Sequence, residues 1–201
     1  NLVLITVDTL RADRVGFYSG RNVQTPNMDG LAAEGVVFMR AFSHCTTTLP
    51  AHAGIFLGAT PLSHGVHDNA NFVVRDEFLT LAEHLKNSGY STGAFIGGFP
   101  LESRFGLAQG FDTYDDRLDR VGETPGDSWT RRAEAVVSSA LAWIEGRESP
   151  WFLWVHLWDP HEPYSPPEPY KTRFKGRLYD GEVAYADAAL KPLFEYLERS
   201  G

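Results

Sequence analysis

The sequence predicts an α/β fold in which strand and helix alternate, and three features carry that reading. Residues 2–7 (LVLITV) are an apolar, β-branched run of the kind that forms a parallel strand buried on both faces. Residues 151–157 (WFLWVHL) are a second such run far along the chain. Segments with helix signals lie around them, and no repeat or low-complexity tract interrupts the alternation.

The first strand, residues 2–7, ends at Asp8. A helix over 27–34 and a strand over 36–42 follow. Pro50 opens the next helix, 50–57, because proline lacks a backbone N–H that the first turn does not need. Residues 78–88 read as helix and 91–96 as strand. Residues 117–127 are polar, contain Gly and Pro, and read as a surface loop; 128–145 read as helix. After the strand at 151–157, residues 163–177 form a loop, proline-rich and then basic, available to cover a site and equally readable as a plain connection. The last helix, 181–199, sets Val183, Ala186, Leu190, Leu193, Phe194 and Leu197 on one face.

At 201 residues and 43% hydrophobic content the chain can bury a sizeable core in one domain. A net charge of −8 with scattered Lys and Arg argues against a nucleic-acid-binding surface. A single cysteine excludes an intramolecular disulfide framework. No apolar run has membrane-spanning length and no signal peptide is visible; the start at Asn1 without Met suits removal of an upstream segment.

Two residues stand out chemically. Thr48 falls at the start of the helix opened by Pro50, where orphan N–H groups and a partial positive charge would stabilise a docked anion. Thr is also an ordinary N-cap, and its hydroxyl is a weak nucleophile without a base or metal beside it. Asp8 lies at the carboxyl end of the first strand, where open α/β sheets bind ligands, so it is a candidate ligand for a hard metal ion; it equally reads as a cap for the following turn.

The order ITVDTLRADRVGFYSG, TPNMDGLAAEGVVFMRAFS, TLPAH, SHGV, TLAEHLKNSGYSTGAFIGG, GFDTYDD and WDPHEPY resembles the sulfatase family of the alkaline phosphatase superfamily over nearly the whole chain. The resemblance implies a predominantly parallel central sheet flanked by helices (alkaline phosphatase-like) and cleavage of sulfate or phosphate esters with a bound divalent metal. Sulfatases carry Cys or Ser, converted to formylglycine, in a C/S-x-P-x-R motif. Here Thr48-Leu49-Pro50-Ala51-His52 puts Thr in the nucleophile's place and His52 in the arginine's, and Thr cannot give formylglycine. Cys45 lacks the proline two residues on. The family's paired aspartates after the first strand appear as Asp8-Thr9, and Gly97-Gly98-Phe99-Pro100 replaces a Lys-x-His pair.

These departures resemble the Thr-nucleophile phosphodiesterase and pyrophosphatase branch, with its T-x-P-x-H motif and an Asn shortly after an H-G-(I or V) step. Thr48 is then the nucleophile, His52 a substrate contact, and Asn69 the holder of a non-bridging oxygen. An amide aimed at developing negative charge supplies about 3 kcal/mol in a transition state. Asn69 also reads as a plain turn residue. His161, in a proline-stiffened loop after residues 151–157, is implied by the family's P-H-x-P segment to contact the substrate's anionic group or leaving group. His156 reads as a strand residue with a satisfied hydrogen bond.

Family members continue past a helix like 181–199 into a strand ending in Ser-Asp-His-Gly or similar, whose Asp and His complete the metal site. Residues 1–201 are therefore expected to be the N-terminal part of one catalytic domain, with Asp8 and Thr48 within reach of one zinc, manganese or calcium ion. Alone, these two ligands should bind it poorly, and the isolated chain should be inactive. The expected partner is a small anionic ester, and the resemblance points to a periplasmic, extracellular or membrane-anchored parent. A non-catalytic binding module and a phosphoryl-group transferase of the same superfamily are the alternatives.

Overall fold

The computed structural model describes residues 1–19, 24–121 and 128–200. Four parallel strands form the central sheet in the order β1 (Leu2–Val7), β6 (Trp151–Leu157), β2 (Ser91–Ile96) and β3 (Thr113–Asp115). Every residue of β6 is buried, as its apolar run, broken only by His156, demands of a central strand. Its register sets Val7 opposite Leu157, and Ile96 opposite His156. The carboxyl ends of β1, β2 and β6 therefore open on one edge.

Alternate residues of β6 serve two cores, as the strand period requires. Trp151, Leu153, Val155 and Leu157 pack with α6 (Ala133–Ile144) and α8 (Leu178–Ser200). Phe152 and Trp154 pack on the other face with α3 (Thr48–Leu57) and α5 (Leu81–Asn87). Of the remaining helices, α2 (Pro26–Glu34) has nine residues, and α1 (Gly16–Ser19), α4 (Pro61–His64) and α7 (Tyr170–Arg173) are single turns. Buried Asp187 of α8 accepts from the Asn27 and Met28 N–H groups at 3.2 and 2.8 Å, capping α2 from across the fold. Among the described residues no helix is long and apolar enough to cross a membrane.

The structure corrects several expected elements. Residues 36–42 are not a strand: Val36, Phe38, Met39 and Phe42 are exposed, and an extended segment becomes a strand only with a ladder partner, which none of the described residues supplies. The third helix begins at Leu81 rather than 78, because Thr80 and Glu83 close a capping box. Residues 128–130 are not helical; β5 (Ser128–Thr130) pairs antiparallel with β4 (Asp119–Val121), inside what reads as a loop, and 122–127 lie outside the described residues. Within 163–177, α7 is an unexpected helical turn, and Phe174 and Pro166 pack around Gly181 at the start of α8.

Candidate active site

Thr48 is the first residue of α3, with Thr47 at the N-cap, one position before it. Both the residue and its helix are largely buried, with Thr48 8% exposed. Its carbonyl meets His52 Nδ1 at 2.8 Å, one helical turn on. A carbonyl only accepts, so Nδ1 carries the hydrogen and Nε2 of the neutral ring is a bare acceptor. Burial first, and the neighbouring His156 second, push the His52 pKa down to about 4, so the ring is neutral at ordinary pH.

Asp8 stands one residue past β1, its N–H donating to Leu157 O at 2.9 Å, so the ladder itself seats the carboxylate at the sheet edge. His156 Nε2 lies 3.4 Å from Asp8 Oδ2, and the His156 and His52 rings are 5.1 Å apart. Burial works to raise the Asp8 pKa; His156, then His52 and His161, outweigh it and hold the carboxyl below its usual range. A chain of contacts thus runs from Asp8 through His156 and His52 to Thr48. His156 is not the satisfied strand residue expected: both its ring nitrogens are buried without hydrogen-bond partners, as is His52 Nε2. A polar residue inside an apolar strand, at its carboxyl end, is the signal that could have marked it.

Thr9, the residue after Asp8, has φ of 50°, a conformation that costs a β-branched residue about 1–2 kcal/mol. Two hydrogen bonds hold it there: Thr9 Oγ1 donates to Pro160 O at 2.7 Å, and Tyr179 Oη donates to Thr9 O at 2.8 Å. The first ties the end of β1 to the loop that carries His161.

Asn69 comes to the same place from the α4 side. Its Oδ1 accepts from the Leu49 N–H at 2.8 Å, satisfying one orphan donor of α3. The turn itself is made by Asp68, which accepts from the Ala70 and Asn71 N–H groups. Since an N–H must face the oxygen, the Asn69 amide nitrogen is turned away from Leu49, and its hydrogens make no hydrogen bond among the described residues.

His161 is half-buried, its Nδ1 2.7 Å from Glu162 O and its ring stacked on Trp158 with centroids 3.8 Å apart at 15°. The loop is clipped at both ends. Arg132 donates to Asp159 Oδ1 at 2.9 Å and to Ser165 O at 2.6 Å, and Ser165 N donates to Glu182 Oε1 at 2.7 Å. Asp159 Oδ2 also accepts from Ala133 N, capping α6. Burial pushes the Glu182 carboxyl up to about 7. Among the described residues no group of three or more His, Cys, Asp or Glu is placed to hold a metal ion.

A family model described as Sulfatase matches residues 1–201. The chain belongs to the sulfatase family. Similar curated proteins include the Escherichia coli (strain K12) protein "Uncharacterized sulfatase YidJ", 27% identical over 226 residues, covering 96% of this chain and 45% of that protein. An "Arylsulfatase" of Klebsiella aerogenes is 24% identical over 224 residues, covering 90% of this chain and 47% of its own length. The chain therefore spans less than half the length of these relatives. Among solved structures, the phosphonate monoester hydrolase of Agrobacterium radiobacter superposes with a TM-score of 0.82 at 20% identity, over 100% of this chain and 60% of that one. That likeness shows the shared fold: an α/β architecture with a parallel sheet flanked by helices.

Proposed function

We propose that this chain forms one half of the active site of a metal-dependent hydrolase of sulfate or phosphate esters, with Thr48 as the nucleophile and phosphoester chemistry favoured. The observation that carries the reading is the pairing at the head of α3: Thr48 opens the helix, and Asn69 is fastened to the next residue with its amide hydrogens unbonded among the described residues. Thr cannot supply the aldehyde-derived nucleophile of a formylglycine sulfatase, whereas a hydroxyl suits direct attack on phosphorus.

Asp8 suits a divalent cation, being a carboxylate kept ionised at a strand end beside His156 and near His52, whose Nε2 is buried without a hydrogen bond. Asp8 and Thr48 would hold one side of the ion, whose identity (zinc, manganese or calcium) is open. The relatives are about twice as long, and we assign the other ligands to the remainder of such a protein. A bound cation would lower the pKa of the Thr48 hydroxyl and offset the charge of the ester.

The Thr48 hydroxyl releases its proton to solvent as Oγ attacks phosphorus or sulfur, and the bond to the ester oxygen breaks. The positive end of the α3 dipole and the Asn69 amide stabilise the charge gathering on the non-bridging oxygens. His161, with Nδ1–H held by Glu162 O, acts in its doubly protonated form and gives the Nε2 proton to the departing oxygen, ending as the neutral ring. Water then cleaves the Thr48 ester, restoring the hydroxyl and releasing the anion. His52 fixes the Thr48 carbonyl and lines the same place through Nε2, which in the neutral ring accepts rather than donates.

A panel of nitrophenyl sulfate, phosphate, phosphodiester and phosphonate esters with added zinc, manganese or calcium, run on the full-length protein and its Thr48→Ala variant, tests this. The reading expects metal-dependent turnover that Thr48→Ala abolishes. The second reading, a non-catalytic module with the family's fold, is favoured by one observation: Thr9 stands where the family places a second aspartate. Absence of turnover with every ester and metal would select it.

A further inference from the structure

We propose that Trp158 is a positioning residue that fixes the orientation of the His161 imidazole, seated in a slot that Gly97 and Gly98 leave open. The inference rests on the reading of His161 as the group that serves the leaving oxygen, and adds to it the residue that aims it.

The slot comes first. At the end of β2, a Cβ on Gly98 would stand 2.1 Å from Trp158 Cε3 and 2.6 Å from Cζ3, and one on Gly97 would stand 2.8 Å from the Trp158 backbone nitrogen. No side chain larger than hydrogen fits at Gly98 while the indole lies where it does. Gly97 O also accepts from Arg131 N at 2.9 Å and Gly98 bridges to Thr130, so the glycine backbone is itself held in place. The position at which a Lys-x-His pair is expected from the family is thus filled by an aromatic ring reaching over from β6.

The second part is the stack. Trp158 and His161 lie nearly parallel with centroids 3.8 Å apart, closer than the general run of aromatic pairs. The loop backbone is already fixed by Arg132, Glu182 and Thr9, which hold Asp159, Pro160 and Ser165. The freedom left to His161 is rotation of its side chain. The indole face removes it on one side and Glu162 O anchors Nδ1 on the other, leaving Nε2 with one direction in which to point. Misplacing a proton donor by about 1 Å can cost on the order of 10²-fold in rate.

The test uses the full-length protein with two pairs of substrates: para-nitrophenyl and phenyl sulfate, and the para-nitrophenyl and phenyl esters of phenylphosphonate. A donor to the leaving oxygen matters most for the poorer leaving group, phenol. Trp158→Leu should lower kcat for the phenyl ester by about 10- to 100-fold and for the nitrophenyl ester much less, with little change in KM. Trp158→Phe should recover most of the loss. Gly98→Ala, which drives the indole out without altering Trp158 itself, should reproduce the Trp158→Leu pattern. His161→Ala separates the two claims. If it shows the leaving-group dependence and folded Trp158→Leu and Gly98→Ala do not, the positioning role of Trp158 is overturned while that of His161 stands. If His161→Ala itself shows no such dependence, or no ester is turned over, the reading of His161 fails and this proposal with it. Should Trp158→Leu not fold, Gly98→Ala and Trp158→Phe decide the matter by the same criteria.

Discussion

Asn69 Oδ1 accepts the Leu49 N–H at 2.8 Å, so the amide at the candidate oxyanion position is anchored to the residue beside the candidate nucleophile. The side-chain oxygen caps α3, and in the proposed mechanism the nitrogen serves the anion. Asn69→Ala in the full-length protein should therefore lower kcat about 10²-fold with a smaller change in KM. Asn69→Asp, which keeps the cap but replaces the donor with charge, should be no better. Equal loss through KM alone would mark Asn69 as a uniform binding contact.

His52 gives a pH signature. Its pKa falls from 6.5 to about 4 on folding, so between these values the unfolded chain binds more protons and stability rises with pH. The contribution is complete above pH 6.5 and is lost as pH falls toward 4, amounting to about 3 kcal/mol over the window. Urea titrations of the wild type and His52→Gln across that range should show the wild type's relative stability shrinking by that order on acidification. Parallel curves for the two proteins would contradict it.

Glu182 acts in the opposite sense. Folding raises its pKa from 4.5 to about 7, chiefly by burial, so the native state binds more protons and stability falls as pH rises through that window. Glu182→Gln should melt higher than the wild type at pH 8 and about equally at pH 4.5. A lower melting temperature at pH 8 would mean that the contact with Arg132, 3.7 Å away, outweighs the cost of burial.

Residues 1–201 expressed alone should bind zinc, manganese or calcium weakly and hydrolyse none of the nitrophenyl esters above background. No three metal-ligating side chains are gathered among the described residues. Isothermal titration with each metal and a turnover assay check this. Metal-dependent turnover by the isolated chain, abolished by Thr48→Ala, would show that these residues complete a site unaided.

Much of the framework could be read from composition along the chain. Leu2–Val7, Ser91–Ile96 and Trp151–Leu157 match the expected strands, and the apolar run of Trp151–Leu157 is the one that is buried throughout. Residues 36–42 carry the same signal without a ladder, since local pattern states a preference and pairing decides. Thr113–Asp115 is three residues long and too polar to announce itself. The start of α6 is set by Asp159, capping Ala133 from 26 positions away, which no local window contains. At the candidate site, Asp8 and Thr48 lie at the strand end and helix start read for them, while Asn69 and His161 are assigned from family order. His156 reads as a strand residue with a satisfied hydrogen bond, and nothing local marks Trp158, until the fold sets one beside Asp8 and the other against His161.

The central claim is that Thr48 takes the acyl-like load during turnover, as a phosphoryl, phosphonyl or sulfuryl ester. The direct measurement is acid-quench of the full-length protein during steady-state turnover of its best nitrophenyl ester, followed by peptide mass spectrometry. The account predicts a covalent adduct on Thr48, absent from Thr48→Ala, whose turnover is at background. An adduct on Cys45 or any other residue, or turnover that survives Thr48→Ala, would contradict it.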